Sequence, residues 1–448
     1  KEKMTQKTSK TKRKVVKKPK KKKIEKSAQK RKKISTPRLL RGMKDILPKD
    51  QDYWQYIIQK AENLAQAYNF QRIDTPILEE TSLFIRGVGK ETDIVEKQIF
   101  SFVDKGKQNI CLRPENTAAV VRAYIEHGMV SLPQPVKLYY IGPQFRHEKP
   151  QSGRLRQFHQ FGLEAIGETD AIVDAQIILF SFVFFKEIGL DVSIQINSLG
   201  CIKCRKEYQK LLLNFYRFKK GFLCPTCQKR ITKNPLRVLD CKNPECQAIA
   251  EEAPQIVDHL CEECHQHFKE VLEFLDEIEI PYNLNPYLVR GLDYYTKTVF
   301  EIIPTGIERE SGKENQKNVL KSEEEIKSQN ALGGGGRFDR LIKLLGGKDT
   351  PACGGAIGIE RVIALMKERD IKSFPDSSPQ IFLAQLGELP KRKSLNLLEE
   401  FRKAKIKIAE SIGKDSLRVQ LGRANRMGVK YALIFGQKEA LENTIIIR

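Results

Sequence analysis

The chain has 448 residues, too many for one compact core, so about two or three domains are expected, and its hydrophobic content of 40% is typical of globular proteins. No run of about 18 apolar residues occurs, and the sequence begins with lysines instead of the apolar core of a signal peptide. We therefore expect neither membrane insertion nor secretion, and a cytoplasmic protein without a membrane partner is predicted.

The formal net charge of +23 is concentrated at the start of the chain, where residues 1–33 hold eighteen Lys or Arg against two Glu. Such a segment cannot bury apolar surface and repels itself, so residues 1–37 are predicted to form a disordered tail. Two roles stay open for it: a solvated tail that aids solubility, or an arm that binds RNA without sequence preference.

A first amphipathic helix is predicted from apolar residues that share one face, namely Trp54, Ile57, Ile58, Ala61, Leu64, Ala65 and Tyr68. From there to about residue 198, strand-like runs (LYYIGPQF, FHQFGLEAI, VSIQIN) mix with helical stretches at 115–127 and 170–187. Strands without regular βαβ alternation predict the α+β class, with an antiparallel sheet flanked by helices.

Residues 199–265 interrupt this pattern and hold eight of the ten cysteines, so we interpret them as an inserted module. The sheet is predicted to resume over 287–303, and the polar stretch at 305–330 is predicted to be a solvated loop. Glycines 333–336 are expected to form a turn, although they also let a ligand approach the backbone closely, and Arg337 is expected to lead a helix.

The last part of the chain alternates strands and helices, which predicts a small α/β domain with a parallel sheet: strand 380–385, helix 391–404, strand 406–409, helix 415–427 and strand 430–436. The sequence stops within a predicted strand, so we expect this domain to lack its last element.

The cysteines of the inserted module come as four pairs: Cys201 with Cys204, Cys224 with Cys227, Cys241 with Cys246, and Cys261 with Cys264. Three pairs are C-x2-C, the spacing that lets two thiolates from one turn occupy adjacent corners of a zinc tetrahedron. Structural zinc in one or two closed sites is favoured over disulfides or redox activity. Which pairs share a metal stays open. The lone Cys111 and Cys353 are predicted to be buried apolar side chains.

Residues 142–167, GPQFRHEKPQSGRLRQFHQFGLEAIG, are the most informative segment. Arg146 and Arg154 flank a turn, and guanidinium groups suit the bidentate capture of a polyphosphate. Phe158 on the returning strand could stack on a base, and Gln160 and Glu164 share its strand face. The alternative is a surface hairpin held by salt bridges.

Related groups come from three other segments: Glu115 and Thr117 at the start of a helix, Arg290, Tyr294 and Tyr295 on a predicted strand, and Arg361 in the first turn of another helix. Thr117 could equally be only a helix cap. Arg361 could reach an anionic ligand or merely an acidic neighbour.

Five motifs carry a family resemblance: RGMKDILP, LRPENTA, FRHEKPQSGRLRQFHQFGLE, LVRGLDYYT and GAIGIER. From about Arg41 to its end the chain resembles histidyl-tRNA synthetases. The first, third and fifth motifs look like class II motifs 1, 2 and 3, and the other two are more specific to the histidine enzymes. Asn116 is a departure, because the family usually has Gly there.

The resemblance implies a class II catalytic domain with an antiparallel sheet of about six or seven strands, over residues 38–198 and 266–372. The Cys-rich insertion is then 199–265, and an anticodon-binding α/β domain covers 378–448. The implied cofactors and partners are ATP as a substrate, Mg²⁺, L-histidine and tRNA(His), with the chain acting as a homodimer.

The resemblance also implies a role for each matching side chain. Arg290 would be the catalytic electrophile, with Arg146 on the α-phosphate and the histidine carboxylate. The implied ATP contacts are Arg146, Glu148, Arg154, Phe158 and Arg361. The implied histidine contacts are Glu115, Thr117 and Gln160 at the α-amino group and Glu164, Tyr294 and Tyr295 at the imidazole.

Two other functions stay open at this point. One is the synthetase-like regulatory subunit of histidine biosynthesis, which keeps the catalytic fold but has no anticodon domain. The other is a nonenzymatic zinc-ribbon protein that binds RNA, which explains the cysteines and the lysines but leaves the arginines and glutamates without a role.

Overall fold

The computed structural model describes residues 36–90, 92–149, 154–305, 331–372, 378–411, 413 and 416–448. The chain divides into two compact units, residues 1–40 and residues 41–448. In the first unit, the described residues 36–40 carry no helix or strand. Almost all of the predicted tail and of the predicted 305–330 loop lie outside the described residues. No described helix is long and apolar enough to cross a bilayer.

The α-helices of the described residues are α1 Gln51–Ala67, α2 Thr81–Val88, α3 Thr117–Glu126, α4 Ala171–Glu187, α5 Ile202–Lys219, α6 Pro225–Lys233, α7 Leu236–Leu239, α8 Pro244–Glu251, α9 Glu262–Glu277, α10 Leu341–Leu344, α11 Ile359–Glu368, α12 Glu388–Lys403, α13 Leu417–Met427 and α14 Gln437–Glu442. The strands are β1 Gln71–Arg72, β2 Leu78–Glu80, β3 Phe100–Val103, β4 Asn109–Leu112, β5 Val136–Phe145, β6 Gln157–Ile166, β7 Val192–Ser198, β8 Tyr282–Leu284, β9 Thr296–Pro304, β10 Gly333–Arg337, β11 Ala352–Gly358, β12 Ile381–Gln385, β13 Ile408–Glu410, β14 Tyr431–Phe435 and β15 Ile446–Ile447.

An eight-stranded sheet forms the centre of the fold, in the order β1-β5-β6-β11-β10-β9-β7-β8. The six inner strands pair antiparallel, and the short edge strands β1 and β8 pair parallel with β5 and β7. The prediction of an antiparallel sheet flanked by helices is therefore confirmed, and the edge strands extend it.

One face of the central sheet packs on α1, α4, α9 and α11. Helix α4 is apolar almost all round because it lies between the sheet and the outer helices, and its Ile177, Phe180 and Phe184 are buried. The ring of Phe161 on β6 lies 5.7 Å from those of both Phe180 and Phe184. The alternation of β6 therefore sends its odd-numbered residues into this core and leaves the even-numbered ones on the opposite face.

A buried ion pair ties the middle of the sheet to α4. Arg337, the last residue of β10, is fully buried, and its Nε and Nη2 donate to Asp174 Oδ2 at 2.9 and 2.5 Å. The same guanidinium donates to the carbonyl oxygens of Glu168 and Asp170 at 2.8 and 3.0 Å. The burial is tolerated because both charges are paired and further hydrogen-bonded.

Two sequence-based predictions are wrong. Glycines 333–336 and Arg337 form β10, paired on both sides, instead of a turn and a helix start. The predicted strand over 287–303 begins only at Thr296, because Leu288 closes a turn onto Asn285 and the Asn197 side-chain amide donates to the carbonyls of Pro286 and Leu288. These bonds satisfy the backbone without a strand partner.

The described residues also form two smaller sheets. Strands β2, β4 and β3 form an antiparallel sheet in the first half of the chain. In the C-terminal part, β12 pairs parallel with β13 and β14, which confirms the predicted α/β domain with a parallel sheet. Helix α14 was not predicted, whereas the short antiparallel strand β15 lies where the sequence was predicted to stop within a strand.

The buried ion pair leads to a stability prediction. Asp174→Ala leaves the Arg337 guanidinium buried without its charge partner, so we expect a loss of about 3–5 kcal/mol in the free energy of unfolding. The matched control is Asp349→Ala, which removes an exposed ion pair with Lys343 and should cost less than about 1 kcal/mol. Denaturant unfolding of both variants measures the difference, and equal losses would contradict the prediction.

Candidate active site

The face of the central sheet opposite α4 has almost no side chains at its middle. Strands β10 and β11 present Gly334, Gly354, Ala356 and Gly358 to this face, here called the floor. A cleft of about 1210 Å³ lies over the floor. Residues without long side chains let a bound molecule lie directly on the backbone of the sheet.

Strand β6 forms one wall of the cleft. Phe158, Gln160 and Glu164 share the cleft face of this strand, as their spacing predicts. The Thr117 hydroxyl donates to Glu164 Oε1 at 2.7 Å, and a Cβ at Gly354 would collide with the same carboxylate. Burial, and to a lesser extent the nearby charge of Glu115, raises the pKa of Glu164 well above its ordinary value.

The start of α3 supplies the second carboxylate. Glu115 accepts hydrogen bonds from the backbone amides of Thr117 and Ala118 at 2.7 and 3.1 Å, which caps the helix. Burial raises the pKa of Glu115, and the two amides offset part of this rise. Thr117, for which a capping role was open, instead binds Glu164. Asn116 is accommodated because its Oδ1 accepts from the Thr75 hydroxyl at 2.7 Å.

Three guanidinium groups gather at the other end of the cleft. Arg146 donates from Nε to the carbonyl of Pro114 at 2.9 Å, and its guanidinium lies 5.2 Å from the centre of the Phe158 ring. Arg154 forms a 3.1 Å ion pair with Glu148. Burial, followed by repulsion from Arg154 and Arg146, lowers the pKa of Arg361. This end of the cleft therefore holds a net positive charge suited to an anion.

Residues 288–295, here called the tyrosine loop, form the wall opposite β6. Arg290 donates to Glu301 at 2.5 Å and lies 5.7 Å from the centre of the Tyr295 ring. The buried rings of Tyr294 and Tyr295 are 4.7 Å apart. Burial alone would lower the pKa of Arg290, but Glu301 and the two phenols raise it.

The structure brings the predicted site residues together. Those that line the cleft are Glu115, Thr117, Arg146, Glu148, Arg154, Phe158, Gln160, Arg290, Tyr294, Tyr295 and Arg361. Glu164 is buried beside Thr117 and Gly354, and both of these residues line the cleft. The alternative of a surface hairpin held by salt bridges fits the Arg154–Glu148 pair alone, because the other groups of this segment face the cleft.

Two residues of the cleft were missed from the sequence. Tyr140 on β5 lines the cleft opposite Gly162, where a Cβ would collide with its ring. Glu301 on β9 holds Arg290. A signal existed for Glu301, since it is a lone carboxylate between Phe300 and Ile302 in an apolar strand, and such a residue needs a buried partner.

The eight cysteines of the inserted module form two groups. The first cysteine site is Cys201, Cys204, Cys261 and Cys264, and the second cysteine site is Cys224, Cys227, Cys241 and Cys246, with the sulfurs of each group within 4.8 Å of one another. All ten cysteines are free thiols, and Cys111 and Cys353 are buried as predicted. The outer pairs thus share one site and the inner pairs the other.

Both groups have the dimensions of a zinc site. A tetrahedral zinc ion with bonds of about 2.3 Å sets its sulfurs about 3.8 Å apart. The Cys201–Cys204 and Cys224–Cys241 sulfurs are 3.7 and 3.9 Å apart. Backbone amides of Cys201 and Cys261 donate to the sulfurs of Cys264 and Cys204 at 3.2 and 3.1 Å, which stabilises thiolates.

Comparisons with known proteins show the family of this chain. Residues 42–203 match the family model of histidyl-tRNA synthetase, and residues 124–377 match that of class II tRNA synthetases (D, K and N). The chain is 45% identical to a histidine–tRNA ligase of Dehalococcoides mccartyi over 91% of this chain and 93% of that protein. It is 41% identical to the histidine–tRNA ligase of Caldicellulosiruptor saccharolyticus over 93% and 94%.

A solved structure extends the likeness to the fold. The apo histidyl-tRNA synthetase of S. aureus superposes with a TM-score of 0.73 at 34% identity, covering 92% of this chain and 95% of that one. The sequence and the fold are therefore similar over nearly the whole length of both chains. The chain belongs to the histidyl-tRNA synthetase family of class II, ATP-dependent ligases.

Proposed function

We propose that the cleft joins histidine to AMP and then passes the histidyl group to tRNA(His), with the roles of individual side chains given below. The observation that carries the proposal is the meeting of Arg146, Glu164, Arg290 and Tyr295, from the end of β5, from β6 and from the tyrosine loop, around one cleft. A cationic end and a carboxylate-lined end suit a nucleoside triphosphate and an amino acid placed next to each other.

In the first step, a carboxylate oxygen of histidine attacks the α-phosphorus of ATP in line, and the bond to pyrophosphate breaks. Negative charge grows on the equatorial oxygens of the α-phosphate. Arg290 and Arg146 are the groups we assign to stabilise it, because fixed cations in a cleft lower the barrier without having to move. Glu301 holds Arg290 from behind. In the second step, the 3′-terminal ribose hydroxyl of tRNA attacks the carbonyl carbon, and AMP leaves.

The cationic end is assigned to ATP. Phe158 presents a ring on which adenine can stack, with Glu148 and Arg154 beside it, and Arg361 is assigned to the γ-phosphate. The lowered pKa of Arg361 supports this assignment, because crowded cations are stabilised when an anion binds between them. Mg²⁺ would neutralise charge on the β- and γ-phosphates.

The carboxylate end is assigned to histidine. Glu115, Thr117 and Gln160 would bind the α-amino group, and the Gln160 side-chain oxygen is buried without a partner among the described residues. Glu164 and Tyr295, with Tyr294 beside them, would face the imidazole. An imidazole is recognised best by one acceptor and one donor at its two ring nitrogens, and other amino acids would leave these groups unpaired.

Zinc in the two cysteine sites is proposed as a structural element. The support is the grouping of four thiols per site at tetrahedral spacing, with amide donors to the sulfurs. Four protein ligands leave no open coordination position, so the ions would fold the module and not take part in the reaction. Redox activity is less well supported, because its cysteine pairs normally occur singly.

The remaining proposals concern partners and location. The C-terminal α/β domain is proposed to bind the anticodon. A homodimer is proposed through the first half of the catalytic domain, supported by exposed apolar side chains at Leu78, Phe102 and Val103. A cytoplasmic location is proposed because the cysteines are arranged as thiol sites, which a reducing compartment preserves.

The two competing functions are less well supported. A regulatory subunit would not need Arg290, Arg361 and the paired tyrosines around a nucleotide-sized cleft, and it would lack the C-terminal α/β domain that this chain has. A nonenzymatic zinc protein would give no role to the buried carboxylates Glu115 and Glu164, whose burial costs stability unless a ligand uses them.

Arg290→Ala should reduce histidine-dependent ATP–pyrophosphate exchange by about a hundred- to a thousandfold, because the variant loses a cation that acts in the transition state. The matched control is the exposed Arg392→Ala, which should leave exchange unchanged. Circular dichroism checks that both variants are folded. Retention of more than about a tenth of the activity by folded Arg290→Ala would contradict the assigned role.

Glu164→Gln separates stability from function. Because burial raises the folded-state pKa of Glu164, the folded chain retains a proton that the unfolded chain loses. The free energy of unfolding therefore falls as pH rises from about 4.3 through the raised pKa of Glu164. We expect Glu164→Gln to be at least as stable as the wild type at neutral pH and less sensitive to pH in this window, as measured by thermal unfolding.

The same variant should lose histidine affinity by at least about a hundredfold in calorimetry, because a carboxamide is a weaker acceptor for the imidazole. Glu126→Gln, which changes a largely exposed carboxylate, should alter neither property. Unchanged histidine binding by Glu164→Gln would argue against its role in recognition.

Metal analysis tests the cysteine sites. We expect about two zinc ions per chain after purification without chelators, and loss of helical circular dichroism from the module when a strong chelator removes them. Cys227→Ser should lower the content to about one ion per chain, whereas Cys111→Ser should leave it at about two. Less than about one zinc per wild-type chain would contradict the proposal.

A further inference from the structure

The inserted cysteine module contacts the backbone of the tyrosine loop. Arg205, the residue after Cys204, donates from its two terminal nitrogens to the carbonyl oxygens of Asp293 and Tyr295, at 3.0 and 2.5 Å. These carbonyls flank Tyr294. One guanidinium therefore fixes the backbone of the segment that carries both cleft phenols.

The first cysteine site fixes the position of the Arg205 backbone. Its backbone amide donates to the carbonyl of Cys201 at 2.9 Å, in the first turn of α5. Gly200 has a φ of +60° and lies so close to Cys204 that a Cβ there would approach the Cys204 Cβ to 2.6 Å. The position of the Arg205 backbone is thus tied to the geometry of the four thiols.

The first cysteine site is also joined to the start of β9, which follows the tyrosine loop. The backbone of Lys297 exchanges two hydrogen bonds with this segment, to Leu199 at 2.7 Å and to Gly200 at 2.9 Å. Its side chain forms a 2.9 Å ion pair with Glu263, which lies between Cys261 and Cys264 in the sequence. The start of β9 is therefore held by residues next to the first cysteine site.

The second cysteine site reaches the tyrosine loop as well. Asn234 directly follows α6, the helix that carries Cys227, and its side-chain amide donates to Asp293 Oδ1 at 3.1 Å. Arg230 on the same helix donates to Asp93 at 2.7 Å, and Asp93 lines the cleft. Each cysteine site thus supplies a side chain that contacts the segment 293–295.

Packing alone does not hold the tyrosine loop from this side. A cavity of about 260 Å³ lies behind the loop, between Arg205, Asn234 and Leu292, and Arg290 lines both this cavity and the cleft. Where close packing is interrupted, the position of a loop depends on its hydrogen bonds. The bonds from Arg205 and Asn234 therefore restrain the loop at this place, together with the bond that the Asp293 amide donates to the carbonyl of Val88 at 3.0 Å.

We infer that Arg205 is a positioning residue for the histidine pocket, and that it couples the integrity of the first cysteine site to histidine affinity, with Asn234 making the same link from the second site. The inference rests on the proposed function, because it takes Tyr294 and Tyr295 to contact histidine. When the first cysteine site loses its metal, the backbone at Arg205 is no longer fixed. The free energy of histidine binding must then include the cost of ordering the tyrosine loop.

The test uses the full chain and measures histidine affinity by calorimetry together with zinc content. Arg205→Ala should weaken histidine binding about tenfold or more while zinc content stays at the wild-type level and ATP affinity changes less than about twofold. Arg205→Lys should restore part of the affinity, since its single ammonium nitrogen can still donate to one of the two carbonyl oxygens. Arg217→Ala, an exposed arginine on the same helix, is the matched control and should bind histidine as the wild type does.

A second arm removes zinc from folded wild type and Arg205→Ala with a chelator. Wild-type histidine affinity should fall toward that of the variant, and the variant should lose much less, because both changes release the same restraint. If Arg205→Ala does not fold, Asn234→Ala replaces it and should also weaken histidine binding, by a smaller factor. Wild-type affinity in Arg205→Ala, or equal losses on chelation in both proteins, would overturn the inference. Wild-type protein that binds no histidine would instead overturn the proposed function.

Discussion

The cleft exists because the middle of the sheet carries no bulky side chains on one face. Gly354 and Gly334 stand where any Cβ would meet the Glu164 carboxylate or the Arg290 guanidinium, so the functional groups lie against the backbone itself. Strand pairing then fixes their positions, since Gly354 is opposite Glu164 and Gly334 opposite Glu301. A slip of one residue would turn these groups into the core, so the register of β6, β11, β10 and β9 defines the site.

The second feature of the cleft is that it buries ionisable side chains of both signs. Glu115 and Glu164 both have raised pKa values, and Arg146 has a lowered one, each because burial disfavours its charged form. Such groups cost stability in the free protein. The buried pair of Arg337 and Asp174, which joins the sheet to α4 behind the floor, is fully hydrogen-bonded and contributes rigidity where the site needs it.

Local sequence patterns predicted the strands and helices that obey a simple period. Alternation along β6 placed Phe158, Gln160 and Glu164 on one face, and apolar periodicity placed α1 correctly. The tyrosine loop was mistaken for a strand because its residues are apolar and aromatic. Its backbone is held instead by hydrogen bonds from the side chain of Asn197, about 90 residues away in the sequence. Glycines 333–336 were mistaken for a turn because their strand is stabilised by two neighbours that no local pattern reveals.

Long-range pairing explains the other differences. The C-x2-C spacing predicted zinc ligands, but only the fold brings Cys201 and Cys204 to Cys261 and Cys264, with the second site nested between them in the sequence. The role of Arg205 could not be predicted either, because its partners are carbonyl oxygens of a distant loop and carry no side-chain signature. Family motifs predicted which residues meet, and the structure adds what holds them in place.

The central claim is that the cleft is shaped for an imidazole beside an adenosine triphosphate. ATP–pyrophosphate exchange, measured with each amino acid in turn at the same concentration, tests it most directly. The account predicts exchange with histidine and rates lower by at least about a hundredfold with every other amino acid, because Glu164 and the tyrosines would be left unpaired. Comparable exchange with a second amino acid, or none with histidine, would contradict it.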